Sequence, residues 1–240
     1  VTCNGAGDGS IAVSASGGRG DLTYTLQPGG VSSATGEFTD LSAGTYTVEV
    51  TDANGCGPVT TEDLIVEEPA AITIASGEAT DVTCHGGSDG SVTVSAEGGT
   101  APLTYVLQPL GMTNETGAFT DLPAGDYTVE VTDGNSCGPV TTSLSVTEPA
   151  PLAFATTDVT HVTNCASATN GAINVTASGG SGSYTYTLLL DGTSNSTGNF
   201  SNLGTGSYTV EVTDANGCGP IQTDITLTGP PAIEITSVSV

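Results

Sequence analysis

The chain has 240 residues, and its 26 acidic side chains face a single basic one, Arg19, for a formal net charge of −25. A surface of that sign repels nucleic-acid phosphates and anionic lipid headgroups, so neither is expected as a partner, whereas cations and basic groups are. No apolar run is long enough to cross a bilayer and no basic-then-apolar leader opens the sequence; a soluble segment is expected, with any export signal outside these residues.

The 34 glycines, the frequent Ser and Thr and the absence of Trp favour short strands joined by turns, and no segment reads as a helix. In chain order, Val1-Thr-Cys3 leads into a Gly-rich turn at residues 4–9 and an alternating strand at 10–15. A Gly pair (Gly17, Gly18) and a second strand at 22–26 follow, then Gly36-Glu-Phe38, whose Phe is expected in a core. Residues 40–58 read DLSAGTYTVEVTDANGCGP. There Tyr46, Val48 and Val50 alternate with Thr47, Glu49 and Thr51, the signature of a strand with one buried face. Asp-Ala-Asn-Gly closes that strand as a hairpin loop, because Asn and Gly tolerate positive φ. Tyr46 is expected to fold back and bond the backbone of the preceding corner. A last strand at 59–66 ends at Glu68-Pro69.

The whole succession then recurs. The central motif returns as DLPAGDYTVEVTDGNSCGP from Asp121 and as NLGTGSYTVEVTDANGCGP from Asn202, with Tyr46, Tyr127 and Tyr208 spaced by 81 residues. Tandem copies of one unit are therefore expected. The copies run over 1–69, 70–149 and 150–230, with 231–240 as the first strand of a following unit. The first copy lacks the apolar strand that precedes the others at 71–74 and 152–155, while a spare one stands at 232–236. Two arrangements fit that phase: a piece of a longer array, or chains in which the end of one completes the start of the next. About seven short strands per copy, with a turn signal every 8–12 residues, make the expected fold all-β: three immunoglobulin-like sandwiches in an extended rod, stiffened by short Pro-containing junctions.

The six cysteines form three pairs of equal spacing, Cys3/Cys56, Cys84/Cys137 and Cys165/Cys218. The repeat points to one disulfide inside each unit; a Cys56–Cys84 bond would also recur but would strand Cys3 and Cys218. Zinc is disfavoured because no unit has a Cys-x2-Cys or a nearby His. Disulfides imply an oxidising, extracellular compartment.

The pattern V-T-C-x-G-x-x-D-G-S, then G-G, then G-x-F-x-x-L-x-A-G-x-Y-T-V-x-V-T-D-x-N-x-C, then E-P resembles the SprB repeat, found in very large surface adhesins of gliding Bacteroidetes and related secreted proteins. The likeness is clearest at 84–91 and 122–137, and the third copy departs from it with Cys-Ala-Ser-Ala-Thr-Asn-Gly from Cys165. It implies export, a cell-surface location and a sandwich fold, and it brings no catalytic residues.

Chemistry is sparse. His85 and His161 stand opposite Asn4 and Thr80 by the period, so neither recurs and no nucleophile–base pair is seen; an enzyme is not expected. The recurring Asp52/Asn54, Asp133/Asn135 and Asp214/Asn216 are candidate calcium ligands, but the same segment is a good hairpin turn and lacks the rest of an EF-hand loop. Asn114, Asn174, Asn195 and Asn199 fit the N-glycosylation sequon. The expected function is a secreted structural or adhesive protein that forms a stalk or filament at the cell surface. Its expected partners are neighbouring copies, met head to tail, and surface glycans or cations. The alternative is a calcium-dependent glycan- or surface-binding module.

Overall fold

The computed structural model describes residues 1–164, 168–231 and 233–238. All regular structure among them is strand, and no helix occurs. The first repeat holds β1 (Gly9–Ala12), β2 (Leu22–Gln27), β3 (Val31–Ser33), β4 (Glu37–Leu41), β5 (Gly44–Asp52), β6 (Val59–Thr60) and β7 (Leu64–Val66). The second holds β8 (Thr73–Thr80), β9 (Gly90–Glu97), β10 (Thr104–Gln108), β11 (Met112–Asn114), β12 (Ala118–Leu122), β13 (Gly125–Thr132) and β14 (Val140–Val146). The third holds β15 (Ala153–Thr160), β16 (Gly171–Ser178), β17 (Tyr184–Leu188), β18 (Thr193–Asn195), β19 (Asn199–Leu203), β20 (Gly206–Asp214) and β21 (Ile221–Leu227).

The third repeat shows the complete plan. One sheet runs β15-β16-β19 and the other β18-β17-β20-β21, with antiparallel pairing throughout. Strand β20 buries every second side chain, as its alternation predicts. Ile173, Val175 and Phe200 from the first sheet meet Tyr186, Leu188, Tyr208, Val210, Val212, Ile225 and Leu227 from the second in one buried cluster. That two-sheet core is the immunoglobulin-like sandwich the sequence predicts. Tyr208 donates its hydroxyl to the Gly204 carbonyl at 3.0 Å, and Tyr46 does the same to Ser42 at 2.9 Å, so the corner bond forms as expected. The second repeat orders its strands in the same way, β12-β9-β8 and β11-β10-β13-β14.

The first repeat is a truncated version. Its β1 pairs only with β4, in a two-stranded sheet. It has four ladder residues where β9 and β16 have eight each. Its last strand is also interrupted. Residues 59–66 number one more than 140–146 or 221–227. The extra residue splits the strand into β6 and β7, both pairing with β5. At the break the Thr61 hydroxyl accepts from the Val48 amide at 3.0 Å, the local adjustment of a bulge. The core beneath is thinner, built on Ile11, Tyr24, Leu26, Phe38 and Val48.

Compactness divides the chain into two units rather than three. One holds Val1–Glu78, Val92–Phe119 and Tyr127–Leu144; the other holds Ala79–Ser91, Thr120–Asp126 and Ser145–Val240. The division passes through the second repeat, so the sequence period and the compact units do not coincide. The residues expected as a spare strand are not in one: 233–238 carry no regular structure, and Ile233, Ile235 and Val238 stand at least 79% exposed.

Candidate functional site

The features that set this chain apart lie on the hairpins leaving β5, β13 and β20. Each begins with an Asp whose carboxylate organises the turn. Asp214 Oδ1 accepts from the amides of Asn216 (3.0 Å) and Cys218 (2.8 Å), and Oδ2 accepts from the Ser181 amide (2.8 Å). Asp133 holds Asn135, Cys137 and Thr100 in the same way. Asp52 holds Asn54, Cys56 and Arg19. The two donors on one oxygen are the Asx-turn arrangement, which explains why the residue recurs.

These bonds favour the ionised carboxylate. The Cys56 amide, then that of Arg19, holds Asp52 below its ordinary pKa. The Thr100 amide does most to lower Asp133, outweighing the loss of hydration. At Asp214 burial is the largest influence and pushes upward, but the amides of Ser181, Cys218 and Asn216 together prevail and the pKa falls.

The same oxygens were the candidate calcium ligands. In the structure Asp52, Asp133 and Asp214 point both carboxylate oxygens at backbone N–H groups. Asn135 and Asn216 use their side-chain amides to donate to the carbonyls of Thr2 (2.9 Å) and Thr83 (3.2 Å). Donors, not further oxygens, surround these carboxylates. Among the described residues no three His, Cys, Asp or Glu side chains gather as a metal would need.

The disulfides depart from the expected pairing. Cys3 is bonded to Cys137 and Cys84 to Cys218, each pair 134 residues apart, with Cα–Cα distances of 5.7 and 5.5 Å. Cys56 is a free, exposed thiol, and Cys165 lies outside the described residues. No bond joins Cys3 to Cys56 or Cys84 to Cys137. The reason is the length of a strand. Cys3 lies by the start of β1, where Asp8 accepts from the amide and hydroxyl of Thr2. Cys56 lies at the opposite end, in a cleft with Ala15, Gly17 and Gly18. The intervening extended residues 9–15 cover roughly 20 Å, whereas bridged Cα atoms lie about 4.4–6.8 Å apart. Equal spacing in sequence placed the two cysteines of a repeat correctly as a pair of positions but at opposite ends of the module. Each bond therefore joins the first cysteine of one repeat to the second cysteine of the next.

The first-cysteine loops are built to meet that partner. Glu68 Oε2 accepts from the Gly5 amide at 2.6 Å, and Glu148 Oε2 from the Gly86 amide at 2.6 Å, which assigns the Glu-Pro signal a role in presenting the loop. Asp89 accepts from the Thr83 amide at 3.1 Å, as Asp8 does from Thr2. In the third repeat Asn170 replaces this Asp and donates to the Thr163 hydroxyl at 2.8 Å. His85 Nδ1 lies 3.2 Å from Glu148 Oε1. His161 matches Asp81, not Thr80 as the plain period suggests: Nδ1 of His161 accepts from the Thr228 amide (3.1 Å) as Asp81 accepts from Thr147 (2.7 Å). The residue inserted before Cys165 causes that offset.

Two of the four sequon residues are tied into turns. The sequon residues Asn114 and Asn195 use both ends of their amides within their own turns. The Tyr and Phe residues are buried or half-buried.

The SprB-repeat family matches residues 1–31, 76–112 and 153–193. These three segments resemble the SprB repeat. Each match covers a first cysteine and the two strands after it and ends before β5, β13 or β20 and its hairpin, so the second half of the recurring motif lies outside the matched segments. No curated protein matches the chain. Among solved structures, "Sidekick-1 immunoglobulin domains 1-5" aligns at 12% identity and TM-score 0.36, over 95% of this chain and 56% of that one. Domains 1–6 of the surface layer protein SbsC align at 16% identity and TM-score 0.31, over 89% of this chain and 36% of that one. A C-terminal 282-residue fragment of intimin, in complex with the intimin-binding domain of its translocated receptor, aligns at 17% identity and TM-score 0.31, over 76% and 57%. This chain thus spans about half or less of the first structures it resembles, and at these TM-scores the likenesses carry no argument about it. No helix among the described residues is long and apolar enough to cross a membrane.

Proposed function

We propose that the SprB-like repeats described here form an extracellular structural element, a stalk or filament at a bacterial cell surface. The observation that carries this reading is the covalent joining of consecutive repeats through Cys3–Cys137 and Cys84–Cys218. Bonds of this kind persist in oxidising compartments outside the cytoplasm. They also tie each repeat covalently to the next. The surface suits the same setting. A net charge of −25 opposes clumping, and a chain with one Arg and no Lys offers trypsin-like proteases a single cut.

The reading is tested by immunogold electron microscopy of intact cells that make the protein. Label on fibres or threads outside the cell envelope is the expected result; label confined to the cell interior would overturn it.

A further inference from the structure

We propose that the segment from Cys3 to Cys218 acts as an extension-limited tether: its two staples overlap, so tension across it bypasses the first repeat and most of the third and falls on residues 84–137. The inference rests on the stalk-or-filament reading and adds how such a stalk bears load.

Connectivity decides the load path. A chain pulled taut carries force along its shortest covalent route. Tension entering on the N-terminal side of Cys3 crosses the first bond to Cys137. It then runs backward along the chain to Cys84 and crosses the second bond to Cys218. The loops closed by the two bonds share residues 84–137, and only that shared segment stands in series between them. Residues 4–83 and 138–217, which hold β1–β8 and β14–β20, hang beside the route and carry no load. Bonds inside each repeat would act differently, each removing its own loop from the line independently of the others.

The overlap sets a stop. Cys3 and Cys218 are 215 residues apart along the backbone, whereas Cys84 and Cys137 are 53 apart. At roughly 3.5 Å per extended residue, the stapled route ends at about 190 Å where the unbonded chain would reach about 750 Å. Disulfides stay closed in an oxidising compartment, so the stop holds where a surface stalk works.

The loaded segment is also placed to resist before it gives. Cys137 lines a cleft with Gly99, just beyond the last residue of β9. Cys84 precedes the first residue of β9, where Asp89 holds the amide and hydroxyl of Thr83. Force between the two cysteines therefore runs along the strands. Ladder hydrogen bonds lie across an antiparallel pair, so such a pull shears many together and does not open them one at a time. Strand β9 lies between β12 and β8, and β13 between β10 and β14, so both are held on two sides. Val92, Val94, Leu107, Val129 and Val131 of this segment are at most 1% exposed. When it gives, β8 and β14 lose their partners, while the sheets of β1–β7 remain outside the loaded route.

The test stretches single oxidised chains between tags on their two termini and reads the length at full extension. Reducing the wild type with dithiothreitol is expected to add about 570 Å. Removing one staple, as Cys3→Ser with Cys137→Ser or as Cys84→Ser with Cys218→Ser, should add only about 100 Å, because the other staple then leaves 81 residues in series in place of 53. Removing both should add the full 570 Å or so, far more than the two single effects together. Partial reduction of the wild type supplies the same result without substitution, a first step of about 100 Å and a second of about 470 Å. Lengthening that adds up staple by staple, or a one-staple chain as long as the reduced one, would overturn the proposal. Such a result with label still on surface fibres would leave the stalk standing without this mechanics; the unequal steps in a protein confined to the cell interior would remove the stalk and keep the load path.

Discussion

The hairpins at residues 52–56 and 214–218 have the same sequence, Asp-Ala-Asn-Gly-Cys, and different fates. Their internal bonds agree closely: the cysteine amide lies 2.8 Å from the Asp Oδ1 in both. Yet Cys56 is an exposed thiol, whereas Cys218 is 8% exposed and bonded to Cys84. The Asp beside it is half-buried in the first case and 5% exposed in the second. What differs is the cover. Thr83 and Cys84 of the preceding repeat lie on the later hairpin, and none of the described residues forms a disulfide with the first hairpin's Cys56. Local sequence makes the turn; a neighbouring module makes it a junction.

The sharpest way to break this comparison is to remove the bonds. Cys137→Ser opens a closure of 134 residues, worth up to about 5 kcal/mol by loop-closure entropy. Cys56→Ser in the isolated chain should stay within about 0.5 kcal/mol, as surface changes do. Denaturant midpoints of the two variants under non-reducing conditions measure the gap, and equal losses would show that Cys56 is bonded after all.

Next in size is the contrast between the complete and the truncated sandwich. Ile173→Ala, at a fully buried site in the three-stranded sheet, is expected to cost about 2–5 kcal/mol. Ile11→Ala, at the equivalent but 9% exposed site, should cost less because the uncovered edge leaves its cavity room to collapse and to hydrate. Thermal unfolding of both variants orders them.

Smaller again is the response to acid. The folded pKa values of Asp52, Asp133 and Asp214 all lie below the ordinary aspartate value of 3.8. Their stabilisation is therefore complete above that value and is lost as pH falls through the lowered folded values. Asp133→Asn should remove part of that acid dependence and lower Tm at neutral pH more than Asp52→Asn does, since the Asp133 carboxylate is covered. Melting curves between pH 2 and 7 test the order. The smallest expected effect is that of calcium. With the hairpin carboxylates occupied by amides, adding calcium or a chelator should leave Tm where it is; a rise that saturates with calcium would restore these residues as ligands.

Much of this was legible in the residues. Alternation at Tyr46, Val48 and Val50 located the central strand, and the period located its copies. The corner tyrosines behaved as their Gly-x-Tyr setting implies. The short β3, β11 and β18 went unseen because three residues of Val, Met, Ser, Thr and Asn carry no alternation. The cysteine pairing was misread for a different reason. A period equates positions between modules but is silent on which end of a module a position occupies. Counting strands would have revealed it: β1–β5, an odd number of alternating passes, lie between Cys3 and Cys56 and end at the far side of the module. The calcium reading failed to gain support at the same hairpins because an Asp that recurs for its turn looks, in sequence, like an Asp that recurs for a metal.

The central claim, that the staples run between repeats and not within them, is tested most directly by disulfide mapping of the non-reduced chain. Digestion at acidic residues suits a protein with 26 of them and a single Arg. The predicted linked peptides contain Cys3 with Cys137 and Cys84 with Cys218. Peptides linking Cys3 with Cys56 or Cys84 with Cys137 would contradict the account.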